Sequence, residues 1–203
     1  MGTPAETALP EQTQKIILQL ARDALRVAAE RGHLPSITLN DLPSVLQQTG
    51  ASFVTLKKND DLRGCIGALE AKLPLAEDIR QHTVAAALYD YRFPVVEANE
   101  VEDISIEVSI LTEPKQLAYK DPEELLRLLR PLVDGVIITD GTRRATFLPQ
   151  VWERIPSPSL FLAMLCEKAS LPPNAWETQD LQVFIYQVET IHEEPKSEEN
   201  KNP

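Results

Sequence analysis

Cysteine is nearly absent from this chain. The two present, Cys65 and Cys166, lie 101 positions apart among 203 residues, too few for a disulfide framework, so a reducing cytoplasm is the expected compartment. Histidine is as scarce, and His33, His82 and His192 never approach the cysteines at metal-ligand spacing. No zinc or iron–sulfur site, and no other cofactor, is therefore expected. Long apolar runs are missing too: the longest, Leu160–Cys166, has seven residues, against about 20 for a bilayer crossing. No charged-then-apolar leader opens the chain, and Glu6 stands where a myristoylation site requires Ser or Thr. Basic residues are outnumbered 20 to 31, for a formal charge of −11. That deficit argues against nucleic acid as a partner, because its binding rests on Lys and Arg neutralising phosphates. Finally, there is no Gly-rich phosphate loop, Gly-x-Ser-x-Gly elbow or His-Glu-x-x-His pair, which removes the familiar cofactor enzymes.

What is present is a chain of 43% hydrophobic and 25% charged residues, ordinary for a globular protein and long enough for one domain or two subdomains. Residues 1–12 and 190–203 read as acidic, disordered tails, poor in large apolar groups. Gln14–Arg31 repeats apolar residues at helical spacing, with Thr13 to cap it and Gly32 to close it. A short helical turn is expected at Leu42–Gln48. Ser52–Lys58 and Leu62–Leu69 read as a hairpin around Asn59-Asp60-Asp61. A helix from Pro74 to about Tyr91 carries the inward stripe Leu75, Ile79, His82, Ala86, Tyr89. Asp103–Leu111 alternates cleanly as a strand. Asp121-Pro122-Glu123-Glu124 starts a helix, and Asp140-Gly141 turns a second hairpin, Val136–Thr139 with Arg143–Leu148. Helices at Pro149–Ile155 and Pro158–Ala169 and a last strand, Leu181–Val188, follow. Strands in hairpins without sustained βαβ alternation predict an α+β fold with antiparallel sheet.

Leu62-Arg63-Gly64-Cys65-Ile66-Gly67 concentrates the chemistry. As a strand it puts Arg63, Cys65 and Gly67 on one face. A guanidinium two residues from a thiol, on the same side, favours the thiolate. Two strand glycines mark close approach of another backbone or of a ligand. Arg63, Gly64 and Gly67 are thus candidate binding residues and Cys65 a candidate nucleophile. The structural reading of the same letters is a buried thiol, a bulge glycine and an arginine paired with a carboxylate. Arg92, just before Phe93-Pro94, can present its fork to an anion from a rigid turn or bond the last carbonyls of a helix. Glu107 can serve as a general base, as the partner of Arg63, or simply on a solvated sheet face. Gln150 can reach a ligand or cap a backbone amide. His82 reads as a hydrogen-bonded core residue and Cys166 as core. Arg143-Arg144 place one charge on each face of their hairpin, so no basic groove follows.

Leu-Arg-Gly-Cys-Ile-Gly resembles the signature of the AMMECR-type domain family, and four more stretches fit it in order. Ser52–Lys58 is similar to the family's lead-in strand. Asp90-Tyr91-Arg92-Phe93-Pro94 is similar to its Asp-Pro-Arg-Phe-Pro turn, with Tyr91 replacing proline. Val133-Asp134-Gly135-Val136 and Thr146-Phe147-Leu148-Pro149-Gln150-Val151-Trp152 match two further blocks. The resemblance covers about residues 14–189 and is greatest to the bacterial branch named for the AmmeMemoRadiSam system.

That resemblance implies an α+β fold over residues 13–189, in two unequal subdomains that each carry an antiparallel sheet. The larger would include both chain ends, and a cleft between the two would be faced by the Leu62–Gly67 segment. It also implies the company of a Memo-type protein and a radical S-adenosylmethionine enzyme, but no reaction. Two functions follow. One is an accessory protein that holds a protein, peptide or small anionic substrate on Arg63, Gly64, Gly67, Arg92, Glu107 and Gln150. The other is a cysteine-dependent enzyme with Cys65 as nucleophile and Arg63 or Arg92 stabilising an anion, a reading that lacks an obvious histidine base.

Overall fold

The computed structural model describes residues 9–193 apart from 33 and 35. His33, and residues 1–8 and 194–203 of the expected tails, lie outside the described residues. In chain order the helices are α1 (Glu11–Ala29), α2 (Ser44–Gln47), α3 (Leu75–Leu88), α4 (Pro122–Leu128), α5 (Pro158–Lys168) and α6 (Ala175–Thr178). The strands are β1 (Thr49–Lys58), β2 (Asp61–Gly67), β3 (Leu73–Pro74), β4 (Ile104–Leu111), β5 (Lys115–Gln116), β6 (Gly135–Thr139), β7 (Arg144–Phe147), β8 (Gln182–Tyr186) and β9 (Val188–His192). Short 3-10 segments occupy Leu39–Asp41, Ala98–Asp103 and Pro149–Glu153. The fold is α+β with antiparallel sheets. No helix among the described residues is long and apolar enough to cross a membrane. The described residues form two compact units, residues 9–110 with 189–193, and residues 111–188.

In the first unit the sheet runs β2-β1-β4-β9, with β3 added to β1. Helix α1 buries Ile17, Ala21, Ala24, Leu25 and Ala28, the stripe its spacing predicts. It starts at Glu11 behind Pro10, two residues before the expected domain boundary, so Thr13 is buried in its first turn rather than capping it. At its other end Arg31, not Gly32, takes the left-handed conformation (φ 55°), and the Gly32 N–H returns to Val27 O at 2.9 Å. The β1–β2 turn is the two-residue kind, with Asn59 and Asp60 both at positive φ. Val54 and Leu56 of β1 join Ala76, Ile79 and Ala86 of α3 in the core. Helix α3 ends at Leu88, short of the expected Tyr91, and Tyr89 is 72% exposed rather than on the inward stripe. The Asp90 carboxylate, described below, lies two residues past that end and bonds β2.

The last strand of this unit is one that hydropathy does not announce. Sequence patterning ends the ordered domain at residue 189, yet β9 runs to His192. Glu193 then clamps Arg22 of α1, whose guanidinium also donates to the carbonyls of Val101 (2.9 Å) and Ile104 (2.7 Å). Only Ile191 of β9 is buried, so the segment reads as a polar tail.

The second unit's sheet runs β5-β8-β6-β7. Trp152 stacks on Phe161 of α5 at 3.6 Å between ring centroids, and Phe147 meets Phe161 edge-on at 5.2 Å. Cys166 is fully buried beside them, and that burial pushes its thiol up. The Val133-Asp134-Gly135 block is a structural corner. Buried Asp134 accepts the N–H, Nε and Nη2 of Arg130, and its carbonyl accepts Trp152 Nε1 at 2.7 Å.

Candidate functional site

The site grows out of a defect in the β1–β2 ladder. Leu56 pairs with Gly64 and Lys57 with Leu62, so Arg63 is an extra residue, a bulge of the kind that re-aims a side chain. The simple alternation that put Arg63 beside Cys65 is broken there. The Arg63 guanidinium grips Glu100 through Nε (3.3 Å) and Nη2 (2.6 Å), and donates to the carbonyls of Pro94 (2.6 Å) and Val95 (3.1 Å). Every nitrogen of its fork is engaged, so Arg63 braces Glu100 against the main chain at residues 94–95. Glu100 also accepts Lys58 Nζ at 3.0 Å and the Glu97 N–H at 3.0 Å. The Arg63 bonds, helped by these, hold its carboxyl down at about 2.

Gly64 and Gly67 are explained by packing. A Cβ on Gly64 would stand 2.3 Å from the Ala86 carbonyl of α3, and one on Gly67 2.4 Å from the Phe53 ring. Of the two reasons a strand glycine can have, close approach of a neighbour holds at both.

Cys65 sits opposite Thr55, whose hydroxyl donates to Sγ at 3.3 Å. Because β2 is an edge strand, the main chain of Cys65 has no strand on its outer side. The 90–92 corner takes that place. Asp90 Oδ2 accepts the Cys65 N–H at 2.8 Å, and Arg92 Nη2 donates to the Cys65 carbonyl at 3.0 Å. Asp90 and Arg92 are themselves joined fork to fork, Nε to Oδ1 at 2.9 Å and Nη2 to Oδ2 at 2.7 Å. The Asp90 side chain is only 2% exposed. The Arg92 guanidinium, with the Cys65 and Arg92 N–H groups, holds its carboxyl well below the usual carboxylate range. Asp90 in turn raises Arg92, chiefly through the same bonds, so both stay charged at neutral pH. Arg92 remains 45% exposed, lies 5.4 Å from the Phe93 ring centroid, and donates from Nη1 to no protein atom among the described residues.

Several large apolar side chains close to these residues in the chain are exposed. Tyr91 is 96% exposed, Tyr89 is nearly as open, and Leu62 and Val95 are exposed as well. These four are among nine such residues in the described chain, a concentration that single, scattered surface residues do not produce.

The remaining candidates have their own surroundings. Glu107 of β4 pairs with Lys57 of β1 at 2.9 Å, so it is not the partner of Arg63. Gln150 is exposed in the 3-10 segment of the second unit. His82 bonds Asp78 at 3.1 Å, and Asp78 also accepts the Ser52 hydroxyl at 2.6 Å. Asp90 and Glu100, the two carboxylates that organise the site, were missed in the sequence. Their signals are slight: an Asp-x-Arg step at residues 90–92, and a Glu-x-x-Glu capping box at residues 97–100. Among the described residues no group of three or more His, Cys, Asp or Glu is placed to hold a metal ion.

A family model described as AMMECR1 matches residues 18–191. A protein of Methanothermobacter thermautotrophicus is 39% identical over 160 residues, covering 76% of this chain and 81% of its own length. Protein MK0488 of Methanopyrus kandleri is 35% identical over 190 residues, covering 89% of this chain and 88% of its own. The crystal structure of an uncharacterized protein, PH0010, from Pyrococcus horikoshii superposes with a TM-score of 0.75 at 32% identity, over 92% of this chain and 94% of that one.

Proposed function

Because the chain belongs to the AMMECR1 family, we propose that it acts as a cytoplasmic accessory protein. Its Cys65–Arg92 corner would hold a carboxylate-bearing segment of a partner protein. The observation that carries this is the open edge of Arg92, locked in place by a buried Asp90, with Phe93 against it and exposed Tyr89, Tyr91 and Val95 close by in the chain. A charged fork in a fixed orientation, with exposed aromatic residues close by in the chain, is the composition of an interface hot spot. Pre-organisation by Asp90 removes the entropy cost of ordering the arginine on binding. The partners this reading names are a Memo-type protein and a radical S-adenosylmethionine enzyme.

A cysteine-dependent reaction has less support. The hydroxyl of Thr55 donates to Sγ at 3.3 Å. Of the two anion stabilisers this reading names, Arg63 is committed to other bonds and only Arg92 keeps an open edge, while Asp90, paired with Arg92, is not free to take a proton.

Co-expression of the tagged chain with the two partners separates the readings. Capture is expected with the unaltered chain and with Cys65→Ser, and is expected to fall at least tenfold with Arg92→Ala or Tyr91→Ala. Undiminished capture by both of the latter variants overturns the binding corner. Capture abolished by Cys65→Ser alone transfers the role to the thiol.

A further inference from the structure

The second unit carries a surface feature that nothing above uses. The short helix α6 forms a ridge with a groove on either side. One groove, of about 610 Å3, is walled by Pro122, Glu123 and Leu126 of α4 together with the α4 cap, Asp121. The other, of about 400 Å3, is walled by Leu160 and Ala163 of α5 and by Pro173. Trp176 and Glu177 line both. The i, i+4 pair Pro122/Leu126 and the i, i+3 pair Leu160/Ala163 each put one helix face towards its groove. Trp176 is 6% exposed, so it acts as floor and not as a projecting side chain. Leu160 and Met164 on α5 are exposed beside it.

The charge on these walls is of one sign. Asp121, Glu123 and Glu177 line the two grooves, and no Lys or Arg does. Neither the Glu123 nor the Glu177 carboxylate has an ion-pair partner among the described residues. An adjoining hollow of about 460 Å3 adds Lys120 and Asp180, which offset each other. A second copy of this chain does not suit the surface, because like pairing would set these carboxylates against their own copies. An anionic ligand is excluded for the same reason.

We propose that this double groove docks a basic segment of a partner polypeptide. One or two large apolar side chains would enter beside Trp176, and flanking Lys or Arg would meet Glu123 and Glu177. The chemistry is that of an interface with an apolar centre and a charged rim, in which the centre supplies affinity and the rim selects the partner. It is distinct in charge from the Arg92 corner, which selects a carboxylate, so the two surfaces recognise different segments.

Selection of a random dodecapeptide library, displayed on phage, against the immobilised full chain tests the proposal. Enriched peptides are expected to carry Lys or Arg around Leu, Met or aromatic residues. A synthetic copy of one should bind at least tenfold more weakly to Glu123→Lys/Glu177→Lys and to Leu160→Asp. Its affinity should also fall on raising salt from about 0.05 to 0.5 M, as screening requires. All three substitutions are at exposed positions, and unchanged thermal unfolding verifies that the variants fold. Arg92→Ala should leave this binding unaltered, which keeps the result independent of the first surface. The proposal is overturned by no enrichment, by enriched peptides without excess basic residues, or by equal binding to the altered grooves.

Discussion

At the scale of single residues, the candidate site depends on two acids that hold two arginines. Glu100 allows a sign to be worked out for acid stability. Its carboxyl is lowered from about 4.5 to about 2, first by Arg63 and then by the Glu97 N–H and Lys58. A group lowered on folding contributes stability that is complete above its unfolded value and is lost as pH falls through the folded one. Stability in urea is therefore expected to decline between pH 4.5 and pH 2, and Glu100→Gln should flatten that part of the curve while lowering stability at pH 7. A Glu100→Gln profile parallel to that of the unaltered chain would refute the assignment. The sequence made Arg63, Cys65 and Arg92 visible, since residue type and spacing announce them. It could not show that Arg63 is consumed, because Glu100 is 37 positions away and the bulge that aims Arg63 at it is a property of strand pairing.

At the scale of elements, the strand–helix contact at Gly64 is the tightest feature near the site. Gly64→Ala places a methyl group 2.3 Å from the backbone oxygen of Ala86, and neither β2 nor α3 can yield by moving a flexible side-chain end. Overpacking of this kind costs about 1–3 kcal/mol, which for a chain of this length lowers Tm by roughly 2–4 °C per kcal/mol. Thermal unfolding followed by circular dichroism measures it, and an unchanged Tm would mean that the two elements do not close here. Elements with strong local signals were legible: α1 through its apolar stripe, and both hairpins through Asn59-Asp60 and Asp140-Gly141, which accept positive φ or side-chain-bonded turns. Helix α3 was read too long because Tyr89 and Tyr91 extend its apolar pattern. Two residues past its end, Asp90 bonds Cys65 of β2, a contact that hydropathy does not announce.

At the scale of the whole molecule, the least legible feature is how the first unit is completed. Strand β9 has one buried apolar residue, and its place in the sheet is secured by a charged pair at its end. Glu193→Ala leaves the Arg22 guanidinium, itself 8% exposed, without its carboxylate. The loss is expected to be about 2 kcal/mol or more, because a buried charge is left unpaired. Arg22→Met/Glu193→Ala should recover part of it, since removing both partners relieves that penalty. A double variant less stable than Glu193→Ala would argue that the pair is not what holds the strand.

The same strand sets an order of assembly. Everything the second unit needs lies within residues 111–188, whereas the first unit's sheet waits for residues 188–192. During synthesis, then, the later half of the chain can fold as soon as it leaves the ribosome. The earlier half, although made first, stays an open sheet edge until residues 188–192 have been made. Until then β4 is exposed as a template for misassociation, and a chain that stops short of β9 would carry that vulnerability permanently.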